Sequence, residues 1–180
     1  MDNEHLFIQR LTDPATKEVA YRELLSLYKE RLYWHIRHIV KSHDDADDVL
    51  QNTFIKVYKN LDNFKGYSKL FSWMYRIATN ESLTLIKKNA KHIHLNNEET
   101  QDFLVNNLKA DVYFEGNEIQ LKLQQAIVTL PEKQQLVFNM TYFQDITYKN
   151  LSDILETSEG ALKASYHIAV KKIEAFLTQD

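Results

Sequence analysis

Apolar positions recur with helical spacing along most of this chain, interrupted by a few short polar stretches. Residues 4–11 form a short amphipathic segment closed by Thr12-Asp13-Pro14. From Pro14, which suits a first helical turn, Val19, Leu24, Leu27, Tyr28, Leu32, Ile36 and Ile39 keep helical spacing to about Lys41. Ser42-His43-Asp44 breaks the pattern and offers capping groups. Over 45–60, Ala46, Leu50, Thr53, Phe54, Val57 and Leu61 fall on one stripe, the expected buried face of a further helix. A short loop then leads into a helix whose periodicity persists through Leu83, Leu85 and Ile86 and fades at Asn89.

Residues 92–117 are polar and acidic with scattered apolar residues, and read as a linker. Beyond it the helical pattern resumes near Asn117 and reaches Leu130, restarts at Pro131-Glu132 and ends around Tyr142. Asp145-Ile146-Thr147 caps the next segment, Tyr148 to Glu156, and Ser158 is a good N-cap for a last helix running to about Leu177. Leu162, Tyr166, Ala169, Ile173 and Leu177 form the buried stripe of that helix. Two helices joined by a tight turn, the second longer, make a helix-turn-helix pattern. The expected fold is all-α: two small helical domains, 1–91 and 118–180, on a flexible acidic linker, 92–117.

Composition sharpens this picture. Three Gly and two Pro in 180 residues leave few helix breakers. With no Cys, disulfides and thiolate metal sites are excluded. The N-terminus carries acids where a signal peptide needs cations, and no apolar run approaches the roughly 18 residues of a membrane span, so a cytoplasmic protein without membrane insertion is expected. The net charge of −3 is unevenly spread. Residues 65–91 carry net +5 and residues 92–120 net −5, which calls for opposite neighbours.

The basic stretch contains the most informative chemistry. A loop with Phe64, Lys65, Gly66, Tyr67, Ser68 and Lys69 feeds a helix on which Trp73, Arg76 and Asn80 share a face at i, i+3 and i+7. A ring that stacks, a cation that holds phosphate and an amide that reads a base edge suit nucleic acid. The competing reading makes Phe71, Trp73, Met74, Tyr75 and Ile77 simply core. On the preceding helix Asp48, Gln51, Asn52 and Ile55 lie opposite the buried stripe, an exposed Ile ringed by polar groups as in a partner interface. On the last helix Ser158, Glu159, Lys163, Ala164, Ser165, His167 and Lys171 stay outside the apolar stripe, where a DNA groove would meet them. The cluster Asp44-Asp45-Ala46-Asp47-Asp48 contains D-D-x-x-D, which can hold Mg²⁺ in helical enzymes, but acids in a first turn also complement the helix dipole. A second acidic cluster is lacking, and the histidine pairs lack carboxylate support. No metal, cofactor or catalytic residue is expected. A stand-alone helix-turn-helix regulator and, more remotely, a Mg²⁺-dependent enzyme are the alternatives.

Two blocks resemble a known family. L-P-E-K-Q-Q-L-V-F-N-M (130–140), D-I-T-Y-K-N-L-S-D-I-L (145–155) and S-E-G-A-L-K-A-S-Y-H-I-A-V-K-K (158–172) are similar to region 4 of bacterial sigma factors. D-D-A-D-D-V-L-Q-N-T-F-I-K-V-Y-K-N-L-D-N-F-K-G (44–66) and F-S-W-M-Y-R-I-A-T-N (71–80) resemble region 2. Two domains with a short linker match the extracytoplasmic-function (ECF) group of the sigma-70 family.

The resemblance implies a transcription initiation factor that binds core RNA polymerase at its β′ clamp and β flap and directs it to promoter DNA; an anti-sigma factor is a possible partner. It implies that Asp48, Gln51, Asn52 and Ile55 dock on the clamp's coiled coil, with Asn52 standing where the family usually has Glu. Phe64, Lys65, Tyr67, Ser68, Lys69, Tyr75 and Asn80 would form the pocket for a flipped −10 base, with Trp73 and Arg76 at the edge of the melted region. The last helix would read the −35 duplex, although Ser165, Ile168 and Val170 stand where Arg is common. The acidic linker would thread toward the RNA-exit path.

Overall fold

A computed structural model of the chain describes residues 3–92, 99, 102–106 and 118–178, and every regular element among them is helical. The N-terminal half contains α1 (Asn3–Thr12), α2 (Lys17–Val40), α3 (His43–Asn60) and α4 (Leu70–His92), with a 3-10 turn at Leu61–Asn63. The C-terminal half contains α5 (Glu118–Val128), α6 (Glu132–Tyr142), α7 (Tyr148–Leu155) and α8 (Glu159–Thr178).

The polar interruptions seen in the sequence are the caps. Ser42 Oγ accepts the Asp45 N–H at 3.3 Å and starts α3. Thr147 Oγ1 does the same for α7 through Asn150 N, and Ser158 Oγ for α8 through Ala161 N, each at 3.4 Å. The long α2 begins at Lys17, three residues after Pro14, because Asp13 folds residues 13–16 into a turn in which its Oδ1 accepts the Ala15 N–H at 2.9 Å. It ends at Lys41, whose left-handed backbone (φ 60°) returns its N–H to the Arg37 carbonyl.

Helices α2, α3 and α4 pack against one another around Leu24, Leu32, Ile36, Leu50, Val57, Met74 and Ala78. The stripe expected on α3 is buried in full. On α2 the pattern was too generous: Val19 and Leu27 face solvent, because 3.6-residue spacing leaves them at the margin of the stripe that Leu24, Leu32 and Ile36 occupy. In the C-terminal half, Ala126, Ile127, Leu130, Phe138, Ala169 and Ile173 form a second core among α5, α6 and α8.

The halves do not stand apart. Val137, Met140, Ile146, Leu151, Ile154 and Leu162 join the N-terminal core cluster, with α7 lying along α4. The linker expected at 92–117 lies largely outside the described residues. Within it, residues 102–106 are helical and bury Leu104, which lines a cavity of about 420 Å³ with Ile39, Leu83, Leu136 and Asn139.

Candidate nucleic-acid and polymerase interface

The loop of residues 64–69 is exposed at its tip, where Gly66 adopts φ +70° and Tyr67 is 91 % accessible. Lys65 and Lys69 are exposed beside it and Ser68 is half-buried. Glu4 Oε1 accepts the Leu70 N–H at 2.8 Å and so pins the start of α4 to α1. Phe64 packs on Trp73 with ring centroids 5.0 Å apart, leaving each ring only partly covered. Asn80 is exposed two turns along the same face. Phe64, Trp73, Arg76 and Asn80 are therefore brought to one side of the N-terminal half, and the loop cations flank them.

Tyr75 departs from the expectation. It is only 2 % exposed, its ring lies 4.2 Å from Phe71 and 4.6 Å from His35, and its hydroxyl donates to the Arg31 carbonyl at 3.3 Å. Burial pushes its pKa up to about 12, so it stays a neutral donor. Position 75 sits between Met74 and Ala78 on the packed side of α4, and no path leads its ring to a strand of DNA in this structure.

Asp48, Gln51, Asn52 and Ile55 are all exposed along α3, with Ile55 at 51 %. Behind them Val49, Leu50, Thr53 and Phe54 are buried, so the docking face is rigidly backed. At the helix start, among the described residues, no group of three or more His, Asp or Glu side chains converges as a metal site would require. Asp44 and Asp48 stay in solvent, and Tyr33 Oη and His43 Nδ1 share a hydrogen bond at 2.6 Å.

On α8, Ser158, Glu159, Lys163, Ala164, His167 and Lys171 are exposed and Ser165 is half-buried. Lys163 Nζ lies 5.6 Å from the centroid of the Tyr148 ring, within reach of a phosphate beyond it. Of the positions where the family often has Arg, Ile168 faces solvent and Val170 packs against the second core.

What sequence reasoning missed is a buried polar layer between the halves. His35 Nε2 shares a hydrogen bond with Thr79 Oγ1 at 2.9 Å, and His38 stacks on Phe143 at 4.7 Å. Burial, aided by the neighbouring His38, pushes the His35 pKa down to about 3; the nearby Gln144 amide acts in the opposite sense without reaching hydrogen-bond geometry. Burial and the Lys41 ammonium hold His38 at about 4, and burial with the Arg37 charge brings Lys41 down to about 7. The i, i+3 spacing of His35 and His38 was the only available signal, and an open chain would show the same spacing.

A pH dependence follows with a definite sign. Both imidazoles titrate near ~6.5 when unfolded, so the unfolded chain takes up protons first as the pH falls. Their stabilising contribution is complete above about pH 6.5 and is lost down through the window toward pH 4, at about 1.4 kcal/mol per pH unit for His35 alone. Lys41 has completed its own change above that window. Thermal melting should therefore show a lower Tm at pH 5.5 than at pH 7.5; equal values would show that His35 is hydrated.

The fold and these faces have counterparts among known proteins. The family model "Sigma-70 region 2" matches residues 24–92, and "Sigma-70, region 4" matches residues 120–173. The chain is 29 % identical over 156 residues to the ECF RNA polymerase sigma factor SigW of Bacillus subtilis, covering 82 % of this chain and 83 % of that protein. It is 26 % identical over 181 residues to the ECF RNA polymerase sigma-E factor of Haemophilus influenzae, covering 92 % and 95 %. Among solved structures, CnrH in complex with the cytosolic domain of CnrY aligns with a TM-score of 0.71 at 18 % identity over 99 % of each chain. The sigma factor RpoE in complex with the anti-sigma factor NepR from Bartonella quintana aligns at 0.65, also at 18 % identity, over 89 % of this chain and 98 % of that one. With both matched regions present in one chain and full-length relatives of the same kind, this protein belongs to the extracytoplasmic-function group of the sigma-70 family.

Proposed function

We propose that the chain is an alternative sigma factor whose exposed α3 face docks core RNA polymerase while the 64–69 loop, α4 and α8 read the promoter. The observation that carries this is the presence, in one chain, of a basic aromatic loop feeding α4 and a capped helix-turn-helix, the two parts that the matched regions delimit. Asp48, Gln51, Asn52 and Ile55 supply an apolar centre with a polar rim for the β′ clamp, and the C-terminal half meets the β flap. Phe64, Trp73 and Asn80, with Lys65, Tyr67, Ser68 and Lys69, hold the flipped −10 strand: stacking on aromatics contributes about 1–3 kcal/mol per base, enough to offset the few kcal/mol of unstacking. In α8, Lys163 and Lys171 take phosphate while Ser165 and His167 face base edges, with Ser158 and Glu159 at the helix entrance.

A protein of this kind binds and positions; it catalyses no reaction of its own, uses no cofactor and works in the cytoplasm beside the polymerase. No described helix is long and apolar enough to cross a membrane. The solved complexes aligned above hold the cytosolic domain of CnrY and the anti-sigma factor NepR, which makes an anti-sigma factor a reasonable partner here. A stand-alone regulator and the Mg²⁺ enzyme are not favoured, since neither needs both regions in this order.

The test is initiation by core polymerase from a promoter that needs its −35 element. Lys163→Ala should reduce initiation by roughly 5- to 10-fold, the loss of a phosphate or base contact of about 1 kcal/mol or slightly more, with unchanged polymerase binding. Unchanged initiation would remove Lys163 from the −35 interface.

A further inference from the structure

Arg76, on the face assigned to unpaired promoter DNA, is already occupied. Its Nη1 donates to Glu156 Oε1 at 2.9 Å, its Nη2 donates to the Asp153 main-chain carbonyl, and its Nε is buried without an acceptor. A carboxylate and a carbonyl at the end of α7 thus take the donors that a phosphate would take. Glu156 is held there by the backbone. It is the C-cap of α7, in the left-handed region at φ 51°, with its N–H returned to the Ser152 carbonyl.

The contact extends well beyond this pair. Lys41 Nζ donates to Gln124 Oε1 at 2.7 Å, Asn139 Nδ2 donates to the His38 carbonyl at 3.4 Å, and Lys87 Nζ lies 3.5 Å from Glu132 Oε2. Leu151 and Ile154 supply the apolar part against α4. Yet the seam is poorly satisfied for a permanent core. His35 Nδ1, Asn139 Oδ1, Thr141 Oγ1 and both polar atoms of Gln144 are buried without hydrogen-bond partners, and Lys41 is 2 % exposed. Water would satisfy each of these groups on separation. A permanent interior excludes such groups, whereas an interface that opens can carry them.

We infer that the C-terminal half is a built-in competitor of the −10 strand: in the free chain Glu156 and the Asp153 carbonyl hold Arg76 in place of promoter phosphate, and polymerase binding must separate the halves before DNA is read. This rests on the sigma-factor reading.

The chain has no cysteine, so Lys87→Cys/Glu132→Cys places a unique thiol pair across the exposed Lys87–Glu132 contact, to be bridged by a reductively cleavable bismaleimide. The free protein should bridge in high yield. The bridged protein should initiate at least 20-fold less than the unbridged one, and cleavage of the linker should restore initiation. Failure to bridge, or equal initiation in the bridged state, overturns the closed form while leaving the sigma reading intact. Failure of the native chain to initiate with core polymerase would overturn both. A second readout isolates the latch. Glu156→Gln should bind a fluorescent single-stranded −10 oligonucleotide about 3-fold tighter than the native chain, the size of one partly exposed ion pair. The gain should vanish in Arg76→Ala/Glu156→Gln, and equal binding by Glu156→Gln and the native chain would overturn the competition at Arg76.

Discussion

Ile55→Asp should weaken binding to core RNA polymerase by about 100-fold or more while leaving the Tm unchanged. Ile55 is half-exposed on a helix whose opposite face is buried, so its side chain supports no internal packing. A central apolar residue in a docking face is where interface energy concentrates, with truncation costs of about 2–4 kcal/mol. A carboxylate adds the penalty of an unpaired charge desolvated against an apolar pocket. Equilibrium binding to purified core polymerase, with a melting curve on the same sample, separates an interface effect from misfolding. Asn52→Glu, which restores the residue the family usually carries, is the matching gain-of-contact variant. Unchanged affinity in Ile55→Asp would move the polymerase contact off α3.

Tyr75→Ala should destabilise the fold by about 3–5 kcal/mol, the range for deleting a large buried ring. Tyr75→Phe should cost no more than about 1 kcal/mol, since it removes one long hydrogen bond to the Arg31 carbonyl and leaves the packing. The ring is enclosed by Phe71, His35 and the α2 backbone, so its removal opens a cavity that α2 and α4 cannot both close. Urea denaturation measures both changes. The earlier expectation, in which Tyr75 belongs to the −10 pocket, predicts the reverse: a stable Tyr75→Ala protein with impaired −10 recognition.

That contrast shows what kind of information the chain carries openly. The helices and their ends were readable because Ser42, Thr147 and Ser158 are caps and because the α3 stripe repeats without a break. The exposed Ile55 was readable for the same reason: an apolar residue out of phase with a clean stripe has no internal use. Helix α4 gave no such phase. Apolar and aromatic residues surround it, and it packs against α2, α3 and α7 at once, so periodicity alone could not separate the buried Tyr75 from the half-buried Trp73. The seam between the halves was hidden because it is written in His35, His38, Lys41, Arg76 and Gln144, residue types that ordinarily mark a solvated face. Leu151 and Ile154 were expected to point inward, but a sequence does not say whose interior they enter.

The most direct measurement is run-off transcription with purified core RNA polymerase on a pool of promoter fragments, with and without the native chain. A sigma factor of this group should produce transcripts starting at a defined position downstream of shared −35 and −10 elements, at least 100-fold above core polymerase alone. Transcripts indistinguishable in position and yield from those of core polymerase alone would contradict that role.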